Sequence, residues 1–257
     1  MQIANVVVER VASYLVKLYY ENHLEVSTIA PTSESPFYPA YRLCDRAQGF
    51  LFKGTSHPNP FDIKIDLGSS GPYSLIDTLI LGKNHNLAGL TLTLSHSDND
   101  ADYSVADSWV CALGINRQSF TATQHRYWKL SIAAPTADPE IGEIFLTKVL
   151  SLERGPQMGS DRGPQDNIDR SESSAGIEQK VILGEQRRAR RYDLQNLEDS
   201  ERLDLEALAS GAYGKNFFVE DLEGEIFFAE LPGGLGKVKY QGAGRFSLLL
   251  DLLEVLS

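Results

Sequence analysis

The feature that most constrains the fold is a series of short segments in which apolar and polar residues alternate. The clearest is GLTLTLSH at residues 89–96, where Leu90, Leu92 and Leu94 alternate with polar side chains. A period of two is typical of a strand with one buried face. Similar segments, separated by turns rich in Gly, Pro, Asn and Asp, occupy residues 61–67, 74–81, 126–132 and 142–150. Because no helical periodicity intervenes, the pattern predicts an antiparallel sandwich or barrel.

A polar stretch divides the chain. Residues 155–175 read GPQMGSDRGPQDNIDRSESSA, with only two larger apolar residues. This composition is typical of a flexible linker. It predicts an N-terminal β-sandwich over residues 1–154 and a smaller module over residues 176–257, each with its own core.

The second part predicts strands, one short helix and further strands, which make a small α+β barrel or sandwich. The helix is expected over residues 200–210, capped by Asp199 or Ser200 and ended by Gly211. The last strand carries leucines on both faces between residues 248 and 253. One face fills the core, and the other is either a subunit interface or buried beneath the helix. The fold class is therefore mainly β. The remaining strands are expected at residues 179–183, 189–194, 216–219, 225–230, 237–240 and 244–255.

Charge argues against nucleic acid as a partner. The net charge is −11, whereas nucleic-acid binding needs clustered cations. The local exception, interpreted as an exposed strand edge or a subunit contact, consists of Arg187, Arg188, Arg190 and Arg191. No apolar run approaches the roughly 20 residues that span a membrane, so no membrane insertion is expected. Charged residues, beginning with Glu9 and Arg10, interrupt the N-terminal apolar segments, which therefore do not predict a signal peptide.

No motif in the chain predicts catalysis or a cofactor. The five histidines lie in no metal-binding spacing, no GxSxG nucleophile motif occurs, and GGLGK at residues 233–237 does not match a phosphate loop. Cys44 and Cys111 belong to no CxxC pair. We expect them to be free thiols, although a bridge between them stays open. The chain is predicted not to be an enzyme.

Aromatic side chains near predicted loops are better candidates for a binding site. Trp109, Tyr103, Tyr73 and His57 lie on or beside such loops. Aromatic rings commonly hold the CH-rich faces of sugars, with polar groups around them. Trp128 lies inside a predicted strand and is expected in the core, whereas Trp109 fits the core and a binding site equally well.

Three aspartates have the spacing that opens a calcium loop. Asp98, Asp100 and Asp102 supply oxygen ligands at alternate positions. The EF-hand pattern then fails, because Tyr103 stands at the sixth position and Trp109 at the twelfth. An irregular calcium site and a solvated acidic hairpin both remain open.

Residues 34–150 resemble the discoidin, or coagulation-factor type C, domain. The resemblance rests on YPAYRLCDRAQGF around Asp45, on FDIKIDLGSS at residues 61–70, on the segment 76–100 and on RYWKLSI at 126–132. It implies an eight-stranded, galactose-binding-type jelly roll that contacts glycans or membrane lipids. The tryptophan usual in this family is replaced by Phe50 and Phe52, and the cysteines do not match its disulfides. A membrane-lipid role is therefore not expected.

Residues 178–257 resemble a module of phage tail and baseplate proteins. The match consists of ARRYDLQNL, a leucine-containing helix, KNFFVEDLEGEIFFAEL and a final LLLDLLEV strand. It implies a virion tail component, assembled in the host cytoplasm, that forms a homo-oligomeric ring or collar with other tail proteins. The first domain would then decorate the particle or contact a host-cell glycan. The alternative is a stand-alone carbohydrate-binding or enzyme-accessory protein.

Overall fold

A computed structural model describes residues 15–69, 71, 73–152, 162–165, 168–172, 178–182 and 186–256. Glu9 and Arg10, whose charges argue against a signal peptide, and most of the predicted linker lie outside these residues. The described chain is mainly β, with one α-helix, α1 (Asp199–Gly211), and 3₁₀ turns at His23–Val26 and Ala40–Leu43. No described helix is long and apolar enough to cross a membrane.

The strands follow in chain order. The first twelve are β1 Lys17–Tyr19, β2 Thr28–Pro31, β3 Phe52–Lys53, β4 Phe61–Asp66, β5 Ile76–Leu81, β6 Thr91–Ser97, β7 Ser104–Val110, β8 Asn116–Thr123, β9 Tyr127–Ile132, β10 Glu140–Ile141, β11 Ile144–Thr147 and β12 Leu150–Ser151. The others are β13 Arg162–Gln165, β14 Ile168–Glu172, β15 Glu178–Ile182, β16 Arg187–Leu197, β17 Phe217–Glu220, β18 Ile226–Glu230, β19 Lys239–Gly242 and β20 Arg245–Glu254.

Two antiparallel sheets form the predicted sandwich. One has the order β2-β4-β9-β6-β7 and the other β11-β5-β8. Alternation decides which side chains enter the core, since Ile63 and Ile65 of β4 are buried while Lys64 between them is exposed. Leu130 of β9 and Leu79 of β5 belong to the same apolar cluster. The prediction of a mainly β chain with a β-sandwich is confirmed.

A third sheet lies against the outer face of the three-stranded one. Its order is β12-β1-β17-β18-β20-β16-β13, and β19 pairs with β20. Ile80 of β5 and Phe145 of β11 point away from the sandwich core and pack with this sheet. The ring of Phe145 lies 5.0 Å from that of Phe218 and 6.3 Å from that of Phe228, measured between centroids. The described chain therefore forms three stacked β layers.

Strands from the two predicted parts of the chain pair with each other. Strand β1, from the predicted first domain, pairs with β17 of the second, with Leu18 opposite Val219. Strands β13 and β14 lie inside the stretch predicted as a flexible linker, and β13 pairs with β16. These two segments are regular strands because their backbone groups pair within sheets. The rest of that stretch is outside the described residues.

Helix α1 agrees with the predicted span, but its cap does not. Neither Asp199 nor Ser200 is the N-cap. Glu198 is, in a capping box in which its carboxylate accepts from the backbone of Glu201. The Glu201 carboxylate accepts in return from the Glu198 backbone N–H at 2.7 Å. The helix buries Leu205 and Leu208 in the same core as β20.

The arginine cluster does not form an exposed strand edge. Strand β16 pairs with β20 on one side and with β13 on the other, so that interpretation is wrong. The four guanidinium groups pair with carboxylates of the same chain, namely Arg187 with Glu230, Arg188 with Glu225, Arg190 with Asp221 and Arg191 with Asp251. A subunit contact at this cluster stays a prediction.

Candidate functional site

Exposed aromatic side chains are concentrated between β2 and β3. The exposed fractions are 80% for Phe37, 41% for Tyr38, 62% for Tyr41 and 60% for Phe50. We call these four residues, together with Arg42, the aromatic surface. Burying such large rings would be favourable, so exposed apolar patches of this kind often mark interaction sites.

Arg42 connects two of the rings. Its guanidinium carbon lies 5.3 Å from the centroid of the Tyr38 ring and 5.9 Å from that of Phe50. The same group donates a hydrogen bond from Nη1 to the carbonyl of Leu51 at 3.2 Å. A guanidinium has five N–H donors, so this contact fixes its position and leaves other donors for a ligand.

Local hydrogen bonds hold the segment in a defined conformation. The Tyr38 N–H donates to the Ser35 carbonyl at 2.9 Å, and the Lys53 N–H of β3 donates to the Tyr38 carbonyl at 3.2 Å. The Ala40 N–H donates to Oε2 of Glu34 at 2.7 Å. Leu43, at the end of the second 3₁₀ turn, is completely buried in the sandwich core. The aromatic surface is thus anchored on both sides before any ligand arrives.

Polar side chains lie in and beside the same segment. Glu34 and Asp45 are exposed carboxylates, and Lys53 pairs with Glu140 at 2.8 Å. Flat rings surrounded by carboxylates, an amine and a guanidinium offer both apolar faces and hydrogen-bonding groups. That combination suits a ligand whose own surface alternates C–H and O–H groups.

The predicted site residues Trp109 and Tyr103 lie elsewhere. Trp109 is in β7 rather than in a loop, and it is partly buried against the sandwich core. Its indole N–H has no hydrogen-bond partner among the described residues. The Tyr103 hydroxyl donates to Asp100 at 2.5 Å, and Nζ of Lys129 lies 4.3 Å from the centre of its ring.

The other two predicted site residues, Tyr73 and His57, contact neither each other nor the residues around Trp109 and Tyr103 in the hydrogen bonds described next. The Tyr73 hydroxyl donates to the Gly68 carbonyl at 3.0 Å. His57 is exposed, and its backbone N–H donates to Oδ1 of Asp138 at 3.2 Å. The contacts of the four predicted residues thus involve different neighbours, and none of them belongs to the aromatic surface. Trp128 is fully buried, so its prediction as a core residue is confirmed.

The three aspartates whose spacing resembles the start of a calcium loop each contact a different side chain. Their carboxylates contact His125, Lys64 and Asn99, each within hydrogen-bonding distance: Asp98 with His125, Asp100 with Lys64, and Asp102 with Asn99. Within the described ranges, no group of three or more His, Cys, Asp or Glu side chains could hold a metal ion. These aspartates lie in the turn between β6 and β7.

Both cysteines are free thiols. Burial raises the pKa of Cys44 to about 12 and that of Cys111 to about 11. A thiol with a pKa in this range stays protonated at neutral pH and is a weak nucleophile.

A local signal for the aromatic surface was present in the sequence. Four of the 14 residues from 37 to 50 are aromatic, against 9% in the whole chain. The segment lies next to Pro36 and contains Pro39 and Gly49, which indicates a loop. The sequence alone does not predict that these four rings are exposed, because aromatic residues at this density also fill cores.

Solved structures that resemble about half of this chain include two carbohydrate-binding modules. Chitosan-binding module 1 of a Paenibacillus sp. IK-5 chitosanase/glucanase is 17% identical, with a TM-score of 0.44, over 50% of this chain and 99% of that chain. A family 32 carbohydrate-binding module of Clostridium perfringens in complex with galactose is 12% identical, with a TM-score of 0.43, over 51% of this chain and 99% of that chain. No protein-family model matches this chain, and no curated protein matches it in sequence.

The similar structures do not support the prediction of a phage tail or baseplate module. The similar structures align with about half of the chain, and those described above are carbohydrate-binding modules. Nothing in them supports a tail or baseplate module at residues 178–257, or the virion location that the resemblance implied.

Proposed function

We propose that the protein binds carbohydrate through the aromatic surface. The observation that carries the proposal is the exposure of Phe37, Tyr38, Tyr41 and Phe50 within one hydrogen-bonded segment of 14 residues. Ring faces exclude water from the C–H face of a pyranose, and neighbouring polar groups accept or donate to its hydroxyls. Because the segment is already ordered, binding costs little additional conformational entropy.

Arg42 has a specific role in this proposal. Its guanidinium is positioned beside the Tyr38 and Phe50 rings, where a sugar stacked on either ring would place hydroxyl oxygens near its N–H groups. The exposed carboxylates of Glu34 and Asp45 would accept from other hydroxyls. The rings therefore supply contact area, and the charged groups supply orientation.

Removing a ring should weaken sugar binding. We expect Tyr41→Ala and Phe50→Ala each to reduce affinity about tenfold, which corresponds to ~1.4 kcal/mol. Isothermal titration of the full chain with chitosan oligosaccharides and with galactose measures this, and a glycan array extends the search. The matched control is Tyr213→Ala, which removes an 82% exposed tyrosine outside the segment.

Two results would contradict the proposal. One is absence of binding to every glycan on the array by the unmodified chain. The other is a sugar affinity that Tyr213→Ala reduces as much as Tyr41→Ala and Phe50→Ala do. Circular dichroism of each variant checks that the fold is retained.

We further propose that the chain binds its glycan without cleaving it. The aromatic surface offers stacking and hydrogen bonds, but glycoside hydrolysis needs two carboxyl groups placed across the scissile bond. Prolonged incubation with a bound oligosaccharide should therefore release no reducing ends. Turnover that a single carboxylate substitution abolishes would show the opposite.

Assembly with other copies is a second candidate, favoured by one feature. Strand β7 is at an edge of the five-stranded sheet and exposes Val105 and Val110 by 63% and 65%. Unpaired strand edges with apolar side chains can pair with a strand of another chain. Sedimentation should then show an oligomer that Val105→Lys dissociates. A monomer at every concentration would remove this candidate.

A further inference from the structure

A concave surface lies where the second and third layers meet. It includes Gln48 of the segment 37–50, but none of the five residues of the aromatic surface. It has a volume of about 450 Å³, within the usual range for small-molecule sites. We call it the interlayer cleft. Residues of the loops flanking the three-stranded sheet form one side, and residues of β16, β18 and β20 with their turns form the other. Its main lining residues are Gln48, Lys83, Ile115, Arg188, Ile226 and Phe227.

Gln48 is the most informative of these residues. It is only 3% exposed, yet it lines the cleft. Its Oε1 accepts from the Lys83 backbone N–H at 3.1 Å, and its main-chain carbonyl accepts from Nδ2 of Asn84 at 2.9 Å. These contacts fix the amide, while its Nε2 donates to no atom of the described residues. The Nε2 group is therefore available to donate a hydrogen bond to a ligand acceptor in the cleft.

Lys83 also lines the cleft and carries a positive charge. Its side chain is exposed at the rim of the cleft, and within the described part of the chain its ammonium group pairs with no carboxylate. The two acidic residues of the cleft are already engaged by Arg188. Its Nη1 donates to Oε2 of Glu225 at 3.1 Å, and its backbone N–H donates to Oε2 of Glu254 at 3.0 Å.

The remaining wall is apolar. Ile115 and Ile226 are partly buried, and Phe227 and Phe228 are nearly fully buried behind them. The cleft thus combines two unused donors, one of them charged, with an apolar wall. The complementary ligand has one acceptor group with negative charge and an apolar portion.

We propose that the interlayer cleft binds a small carboxylic acid, whose carboxylate is held by Lys83 Nζ and Gln48 Nε2. The apolar part of the ligand packs against Ile115 and Ile226. The site shares no lining residue with the aromatic surface, and its ligand contacts two layers at once. Binding therefore stabilises the arrangement of those layers by mass action.

The test compares two probes that differ only in charge. Phenylacetate presents a carboxylate, and phenylacetamide has nearly the same shape without charge. Calorimetric titration of the full chain should give millimolar binding of phenylacetate and about tenfold weaker binding of phenylacetamide. Lys83→Gln should remove the preference, whereas Lys148→Gln, at another exposed lysine outside the cleft, should keep it.

The same titration separates this proposal from the sugar site. Tyr41→Ala should leave phenylacetate binding unchanged, because that ring belongs to the aromatic surface. Equal affinity for the two probes, no binding of either, or a preference that survives Lys83→Gln would each overturn the carboxylate site. Loss of sugar binding alone would affect only the proposed function.

Discussion

The carboxyl group of Glu143 has a pKa far above that of an ordinary glutamate. It lies between β10 and β11 and is completely buried. Nδ2 of Asn22 is 3.5 Å from its Oε1, and its Oε2 has no partner among the described residues. Burial, and secondarily the charge of Asp45, raise the pKa of Glu143 to about 9. The folded chain therefore holds this carboxyl in its neutral form at pH 7.

This raised pKa predicts a pH-dependent stability. In the unfolded chain Glu143 ionises near its ordinary pKa of 4.5, whereas in the folded chain it ionises only near pH 9. The unfolded state therefore releases its proton first. The contribution of this group to the free energy of unfolding is complete below about pH 4.5 and falls as pH rises towards 9, by at most ~1.4 kcal/mol per pH unit.

Glu143→Gln removes the titration with little change in shape. Between pH 5 and pH 8, we expect the free energy of unfolding of this variant to exceed that of the unmodified chain by roughly 1–3 kcal/mol. The difference should grow as pH rises. Urea unfolding at the two pH values measures this, with Asp204→Asn on the exposed face of α1 as the control. The same pH dependence in Glu143→Gln as in the unmodified chain would show that another group is responsible.

At the scale of elements, β1 is a short strand that makes several contacts within and between the sheets. It has three residues, but it lies between β12 and β17 in the third sheet. Tyr19 is 1% exposed, and its hydroxyl donates to Oε2 of Glu220 at 2.9 Å. Arg117 of the three-stranded sheet bonds the same carboxylate, and Nζ of Lys17 bonds Oε1 at 2.9 Å. One carboxylate of β17 thus joins side chains from β1 and β8.

Removing one hydroxyl tests this connection. Tyr19→Phe should lower the free energy of unfolding by roughly 1.5–3 kcal/mol, because a buried hydrogen bond to a charged group is lost. Chemical denaturation measures the change, and Tyr213→Phe, at an exposed position, should have no effect. Equal stability of the Tyr19→Phe chain and the unmodified chain would mean that β1 is held by its backbone pairing alone.

At the scale of the whole molecule, the three-stranded sheet is shared by two cores. Strand β11 shows the reason, since all four of its residues are buried. Ile144 and Leu146 face the sandwich core, and Phe145 between them faces the third sheet. A sheet covered on both faces couples the layers on either side, because neither core is complete without it.

The described layers should therefore unfold together. We expect calorimetry to show one cooperative transition, and Phe145→Ala to lower the free energy of unfolding by roughly 3–5 kcal/mol while keeping it single. Phe50→Ala is the matched control, since it removes an exposed phenylalanine. Two separate transitions in the unmodified chain would instead support the two independent domains predicted from composition.

The sequence by itself determined the local elements of this protein. Alternation identified β4, β6 and β9, and the change of period identified α1, because side-chain spacing along one element reflects which face is buried. Strands such as β7 and β8 were missed, since SVADSWV and NRQSFTAT lack a regular apolar period and much of each strand is exposed or partly buried.

Only the tertiary structure decided how those elements combine. Tyr19 and Glu220 are 201 residues apart, and no local pattern specifies that they meet. The same holds for the carboxylates that pair with the arginines of β16, and for the exposure of the rings at residues 37–50. Aromatic residues in a loop can enter a core or face solvent, and the outcome depends on whether another layer covers them. The third sheet covers Phe145 and leaves the aromatic surface open, which is why the candidate binding site became visible only in the folded chain.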